Sequence, residues 1–357
     1  MKKSWNIIIS LLAGAGALWI IFTQFSVHSI WMTIKDAPWW SIVGYVVVSV
    51  AIMASLAWRW DIILRAKGIR ISFWHVMWYR IIGYGVSYMT PGAKIGGEAV
   101  RAKLLLRHEA HLNKGLSTVV IDKIMEVSTA GFFFLVGAVA AFMMYEVPLS
   151  LKIATIVITL WIALIFGSFY FQMFRGKYFF KPLFRFLRLH HLRHGHSLEE
   201  KLERFERVVM HFFRKKQRAF LGTFLTSLLA WLLMFAEYWF ILSMLRTTDI
   251  SFNMLFLIIT FIGGSYLIPV PMALGVLEAG QVSAFHLIGL AKVAGVALAL
   301  VTRTKDLVWT VLGLIALSLY GLHPRESVKE AKFVGAELKY LEKLEEQARL
   351  RDEDQVR

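Results

Sequence analysis

Of 357 residues, 57% are hydrophobic and the mean hydropathy is +0.59, whereas soluble domains are about 45–50% apolar; this excludes an ordinary soluble domain and predicts a polytopic membrane protein. There is no cysteine, which excludes disulfides, thiolate metal sites and thiol nucleophiles together. The formal net charge is +16, and its placement along the chain says more than its size.

Met1, Lys2 and Lys3 lead into an apolar run without a small-residue cleavage site, so the run reads as a retained first span. Apolar runs long enough to cross a bilayer lie near 5–25, 39–58, 116–145, 150–172, 219–245 and 294–320, judged against about 20 residues per crossing. Two further runs, 72–91 and 252–291, are interrupted by proline and glycine. Between the runs, 59–70 and 94–114 each carry a net charge of +3, and 175–218 carries +9. Basic loops stay in the cytoplasm, so all three are expected to face inward. With 59–70 and 94–114 on one side, the segment between them must enter the membrane and return. The same logic makes 252–291 a hairpin entering from the outer side, with both termini cytoplasmic. Eight simple crossings, with 94–114 outside, remain the alternative.

The two interrupted runs share a pattern. Ser87, Tyr88 and Pro91 recur as Ser265, Tyr266 and Pro269, and Gly96, Glu98 and Ala99 as Gly275, Glu278 and Ala279. Broken hydrophobic segments in corresponding halves are the usual pointer to a transporter site; ordinary loops between spans are the plainer reading of the same residues. The breaks are placed at Pro91, Gly92, Gly96 and Gly97 in the first copy. In the second they fall at Pro269, Pro271 and Gly275.

Ionisable residues inside apolar runs each cost about 2.5–3.5 kcal/mol at mid-membrane. They are Arg80, Asp122, Lys123, Glu126, Glu237, Glu278, Arg303, Lys305 and Asp306. Asp122 and Glu126 share a helix face, and Arg303 can pair with Asp306 three residues on. Ion pairs that only fix helix packing would account for some of them. A half-helix starting at the midplane also points its N–H groups and positive dipole end into a cavity, which favours an anion. Glu98 and Glu278, in the first turns after the breaks, either cap these helices or meet a cationic part of a ligand.

The basic segment 175–218 contains His190, His191, His194 and His196, then a capping-box start at Ser197 and Glu200 and an amphipathic run of Leu202, Phe205, Val208, Val209 and Phe212. Such a helix beside a span is expected on the anionic inner leaflet. The histidines read as surface contacts and not as a metal site, and topology, not nucleic acid, explains the charge. Residues 321–357 read as a charged, solvated helical tail. No nucleophile elbow, phosphate-cradling loop or His-Glu-x-x-His sequence is present, so no catalytic residue, metal or cofactor is assigned.

The motif Tyr88, Pro91, Gly92, Gly96, Gly97, Glu98 and Arg101, followed by Asp122, Lys123 and Glu126 and by Pro269, Pro271, Gly275 and Glu278, resembles the lysylphosphatidylglycerol synthase transmembrane region, a flippase-like integral membrane family. The likeness covers about residues 5–320. That family more often has Asp at the position of Glu98 and Glu-Arg at Asp122 and Lys123. It also has glycine-rich sequence where Pro271 is followed by Met272, Ala273 and Leu274. In the multiple peptide resistance factors of the family, the membrane region moves aminoacylated phosphatidylglycerol between leaflets, and a separate C-terminal domain makes that lipid. With residues 321–357 too short for such a domain, the resemblance implies the translocating part alone, not an enzyme.

The sequence therefore predicts an all-α protein of the cytoplasmic membrane, with six full spans and two re-entrant hairpins in an inverted repeat over residues 1–320. The expected substrate is an anionic or aminoacylated phospholipid or a polyprenyl-phosphate-linked lipid. Arg80, Lys94, Arg101, Lys123 and Arg303 would hold the phosphate. Asp122, Glu126 and Glu278 would balance charge or read an amino group, with Glu98 and Asp306 in the same set. A non-transporting subunit that anchors a lipid or glycan synthase is the alternative. Self-association into a homo-oligomer is compatible with either.

Overall fold

The computed structural model describes residues 35–89, 96–108, 110–144, 149–186, 195–247, 250–267, 275–287, 289–290 and 292–320. The expected first span at 5–25, the tail after 320, His190, His191 and His194, and Pro91, Gly92, Lys94, Pro269 and Pro271 lie outside the described residues. Among those residues the protein is entirely helical.

The helices are α1 (Trp39–Ala66), α2 (Phe73–Met89), α3 (Gly96–Leu104), α4 (Leu112–Met144), α5 (Leu149–Arg175), α6 (Phe180–Phe186), α7 (Gly195–Lys215), α8 (Gln217–Met244), α9 (Phe252–Leu267), α10 (Val276–Leu287) and α11 (Lys292–Leu319). A 3₁₀ turn, Leu105–His108, follows α3. Among the described residues, two helices, α1 and α8, are each long and apolar enough to cross a bilayer by length and composition. At 28 residues each is about 42 Å long against a hydrocarbon core of about 30 Å. Their outer faces, with those of α5 and α11, expose Val43, Val47, Leu164, Leu225, Leu232 and Val311. Such large apolar exposure suits lipid and would be a liability in water.

The first difference from the sequence reading lies in α1. It does not end at 58 but runs two turns further to Ala66, because no proline or glycine interrupts the chain between Gly44 and Gly68. Arg59 and Asp61 are thereby buried on the helix instead of lying in a cytoplasmic loop. Gly68, at φ 71°, then turns the chain into α2.

Packing follows a two-fold exchange. α1 packs along α8; α2 packs on α11 while α9 packs on α4; α3 lies against α4 as α10 lies against α11. Helices α2 and α3 form one hairpin, α9 and α10 the other. A serine joins the two helices of each hairpin. Ser87 Oγ accepts the Gly97 N–H at 3.1 Å, and Ser265 Oγ donates to the Val276 carbonyl at 3.3 Å. A methyl group at Gly97 would overlap the Gly83 carbonyl, so glycine is what lets the α2 and α3 backbones touch. One pair breaks the exchange: α4 packs along α8, but the backbones of α1 and α11 scarcely approach. Two side-chain hydrogen bonds pin α1 to α11 instead, Tyr45 Oη to the Val301 carbonyl at 3.2 Å and Trp309 Nε1 to Ser49 Oγ at 3.0 Å.

The basic segment also departs from expectation. Part of the apolar stripe of α7 packs inside the protein: Val209 and Phe212, with Phe213 beside them, are buried in a cluster with Phe169, Tyr170 and Phe174 at the end of α5. Glu206, also fully buried, accepts the backbone N–H groups of Phe179, Phe180 and Lys181, tying α7 to the start of α6. Among the described residues, this region exposes the large apolar side chains of Leu183 and Phe186 on α6.

Gly97→Ala is expected to lower stability in detergent by about 1–3 kcal/mol, the range for overpacking a tight contact. Gly167→Ala, whose new methyl would meet nothing within 4 Å, is the matched control. Equal melting temperatures for the two variants would show that the α2–α3 contact does not need glycine.

Candidate functional site

Charge inside an apolar helical bundle must be neutralised locally, and the structure does this around Asp122 of α4. Its carboxylate, 1% exposed, accepts from three arginines on three other helices. Arg59 Nε of α1 donates to Oδ1 at 2.7 Å, Arg101 Nη2 of α3 donates to Oδ2 at 2.8 Å, and Arg80 Nη1 of α2 shares Oδ2. One turn further along α4, Glu126 accepts from Arg80 Nη2 at 3.2 Å and from Lys123 Nζ at 2.8 Å. Arg59 Nη2 stands 3.5 Å from the same carboxylate. Lys123 also reaches Glu98 of α3 at 3.7 Å. The Arg101 guanidinium stacks 4.0 Å above the Trp60 ring, whose Nε1 donates to Thr118 Oγ1 at 3.2 Å. The planar guanidinium can donate at its edge to Asp122 while its face stacks on the ring.

A second cluster sits on α11. Arg303 Nε donates to Glu278 of α10 at 2.6 Å and its Nη1 to Tyr88 Oη at 3.1 Å; Asp306 is further from it, at 3.5 Å. Asp306 accepts from Tyr84 Oη at 2.6 Å. Lys305 Nζ bridges both oxygens of Glu237 on α8, at 2.7 and 2.8 Å. Glu278 also accepts the Gly275 N–H at 2.8 Å, capping α10, and Gly275 holds φ at 77°, a conformation natural to glycine. So Arg303 takes its main partner from the neighbouring helix and not from Asp306 on its own face.

Between the clusters lies a cavity of about 370 Å³. Of the sequence-derived residues, Arg80, Glu98, Arg101, Lys123, Glu126 and Asp306 line it. Asp122, Glu278 and Arg303 stand behind its walls, holding lining residues or helix ends. Three charged lining residues were not in the sequence-derived set: Arg59, Glu237 and Lys305. Glu237 and Lys305 were visible as charges in apolar runs. Arg59 was legible only through the unbroken helical stretch that carries α1 past it. Three lining residues carry buried atoms without a hydrogen-bond partner: Arg59 Nη2, Arg101 Nε and Glu98 Oε2. Unpaired buried polar atoms are costly, so a polar ligand or water in the cavity would satisfy them.

Residues 7–313 match the family described as the lysylphosphatidylglycerol synthase TM region. The chain belongs to that family. It is similar to a UPF0104 membrane protein of Methanothermobacter thermautotrophicus, 25% identical over 303 residues, covering 80% of this chain and 87% of the relative. A UPF0104 membrane protein of Pyrococcus horikoshii is 23% identical over 258 residues, covering 69% and 76%. One from Archaeoglobus fulgidus is 25% identical over 239 residues, covering 64% and 70%. This is accordingly a membrane protein of a family known by its transmembrane region.

Asp122→Asn is expected to destabilise the folded protein by about 3–5 kcal/mol, because it leaves buried guanidiniums without their counter-charge. Glu126→Gln, at a half-buried site, should cost distinctly less. Denaturant unfolding in detergent micelles measures both, and equal losses would show that Asp122 is not the hub.

Proposed function

We propose that this chain moves a lipid headgroup between the leaflets of the cytoplasmic membrane through the charged cavity, while the hydrocarbon tails stay in the bilayer. The observation that carries the reading is a cavity lined by five cations and four carboxylates inside helices whose outer surfaces are apolar. Charges kept in the membrane are expensive and mark substrate paths more often than packing. Ion pairing alone would need no void, yet here the charged groups surround one.

The hairpins fit the same reading. The described stretches of α2, α3, α9 and α10 have 17, 9, 16 and 12 residues, about 26, 14, 24 and 18 Å, each shorter than a hydrocarbon core of about 30 Å. We read both hairpins as re-entrant, with residues 1–320 as one translocating unit of inverted repeats. Broken backbone at membrane depth is tolerated where protein buries it or a wet cavity hydrates it. Arg80, Arg101, Lys123 and the newly placed Arg59 would meet the phosphate. Asp122 and Glu126 are held by cations and serve as counter-charges, so the reading assigns transport and no chemical step.

The test is leaflet exchange of fluorescent phospholipids in liposomes carrying the purified protein. Lys123→Gln, a partly exposed lining residue, is expected to slow exchange at least about tenfold, the effect of roughly 1.4 kcal/mol, at an unchanged melting temperature. Folded protein that exchanges no lipid would sink the proposal and favour a membrane anchor for a lipid or glycan synthase.

A further inference from the structure

The two halves share a frame of charges and then part company. Glu98 is the third residue of α3 and Glu278 the third of α10. Lys123 and Glu126 are residues 12 and 15 of α4, and Arg303 and Asp306 are residues 12 and 15 of α11. Sign is kept at all three positions. Elsewhere it is not. Arg59, residue 21 of α1, corresponds to Glu237, residue 21 of α8. Arg101, sixth in α3, corresponds to Gln281, sixth in α10. Arg80, eighth in α2, corresponds to Ile259, eighth in α9. Asp122, residue 11 of α4, corresponds to Thr302.

These exchanges polarise the cavity. Among the described residues, the first cluster holds Arg59, Arg80, Arg101 and Lys123 against Glu98, Asp122 and Glu126, one positive charge in excess. The second holds Arg303 and Lys305 against Glu237, Glu278 and Asp306, one negative charge in excess. Arg59 Nη2 and Arg101 Nε, like Glu98 Oε2, are buried without a hydrogen-bond partner, and all three residues line the cavity from the first cluster. Glu237 and Asp306 are the second cluster's carboxylates that line the cavity.

Resting on the translocation reading, we infer that the cavity takes a zwitterionic headgroup, a phosphodiester carrying one ammonium, with the phosphate at Arg59 and Arg101 and the ammonium at Glu237 and Asp306. Such a headgroup matches both excess charges at once. A purely anionic headgroup satisfies the first cluster and leaves the second uncompensated, and like-charge contact in a desolvated site is strongly selective.

The test uses full-length protein with acyl-labelled phosphatidylethanolamine and phosphatidylglycerol as probes, in two arms. In liposomes, phosphatidylethanolamine should exchange about tenfold faster than phosphatidylglycerol, about 1.4 kcal/mol of discrimination. In detergent, phosphatidylethanolamine should raise the melting temperature more than phosphatidylglycerol does. Asp306→Asn keeps an acceptor for Tyr84 Oη and removes the negative excess, so it should reverse both preferences. Equal treatment of the two lipids, a preference for phosphatidylglycerol, or a variant that slows both equally would overturn the inference while leaving translocation standing. Selective stabilisation by phosphatidylethanolamine with no exchange of either lipid would support the headgroup site and overturn translocation.

Discussion

A carboxylate buried among apolar helices is tolerable only when cations reach it, and here three arginines from three helices reach one. Each of the four helices meeting at Asp122 would, alone, carry an unpaired charge costing several kcal/mol in a low-dielectric interior. Together they satisfy one another, and that mutual need fixes the rotation of α1, α2 and α3 about α4. Ridge-and-groove packing among apolar side chains leaves rotation loosely specified in lipid, where helix faces gain little from burial. The ion cluster supplies the missing specificity, and it does so at the wall of a cavity, so the residues that orient the helices also shape the site.

The small residues at the crossings serve the same end. Gly97 against Gly83, Gly85 against Gly313, and Gly137 against Thr260 allow backbones to meet. Close approach brings short hairpins deep enough for Arg101 and Glu278 to touch α4 and α11. Dispersion between such surfaces is what holds helices together where hydrophobic burial no longer drives them.

Much of this was legible in the sequence because its causes are local. Apolar runs at 116–145, 219–245 and 294–320 correspond to α4, α8 and α11 within a few residues, since long hydrophobic stretches admit few other structures in a bilayer. The Ser-Tyr pairs at 87 and 265 marked the hairpins because proline and glycine stop helices regardless of context. Partner choice was not legible. Arg303 stands three residues from Asp306, yet its strongest contact is Glu278, 25 positions away, which only tertiary packing decides. Arg59 was read as a loop charge because the loop count took charge itself as the end of the span. That Val209 and Phe212 of α7 meet a neighbouring helix was not legible either, because amphipathicity does not say whether an apolar side meets a membrane or another helix.

The unmatched pair in the packing order has a mechanical meaning. Parting α4 from α8 would separate packed backbones, whereas parting α1 from α11 breaks the Tyr45 and Trp309 hydrogen bonds, a net cost of about 0.5–1.5 kcal/mol each. Ser49 and Trp309 also line the cavity. Among the described residues, backbone packing thus closes the cavity on one side and a pair of side-chain hydrogen bonds closes it on the other.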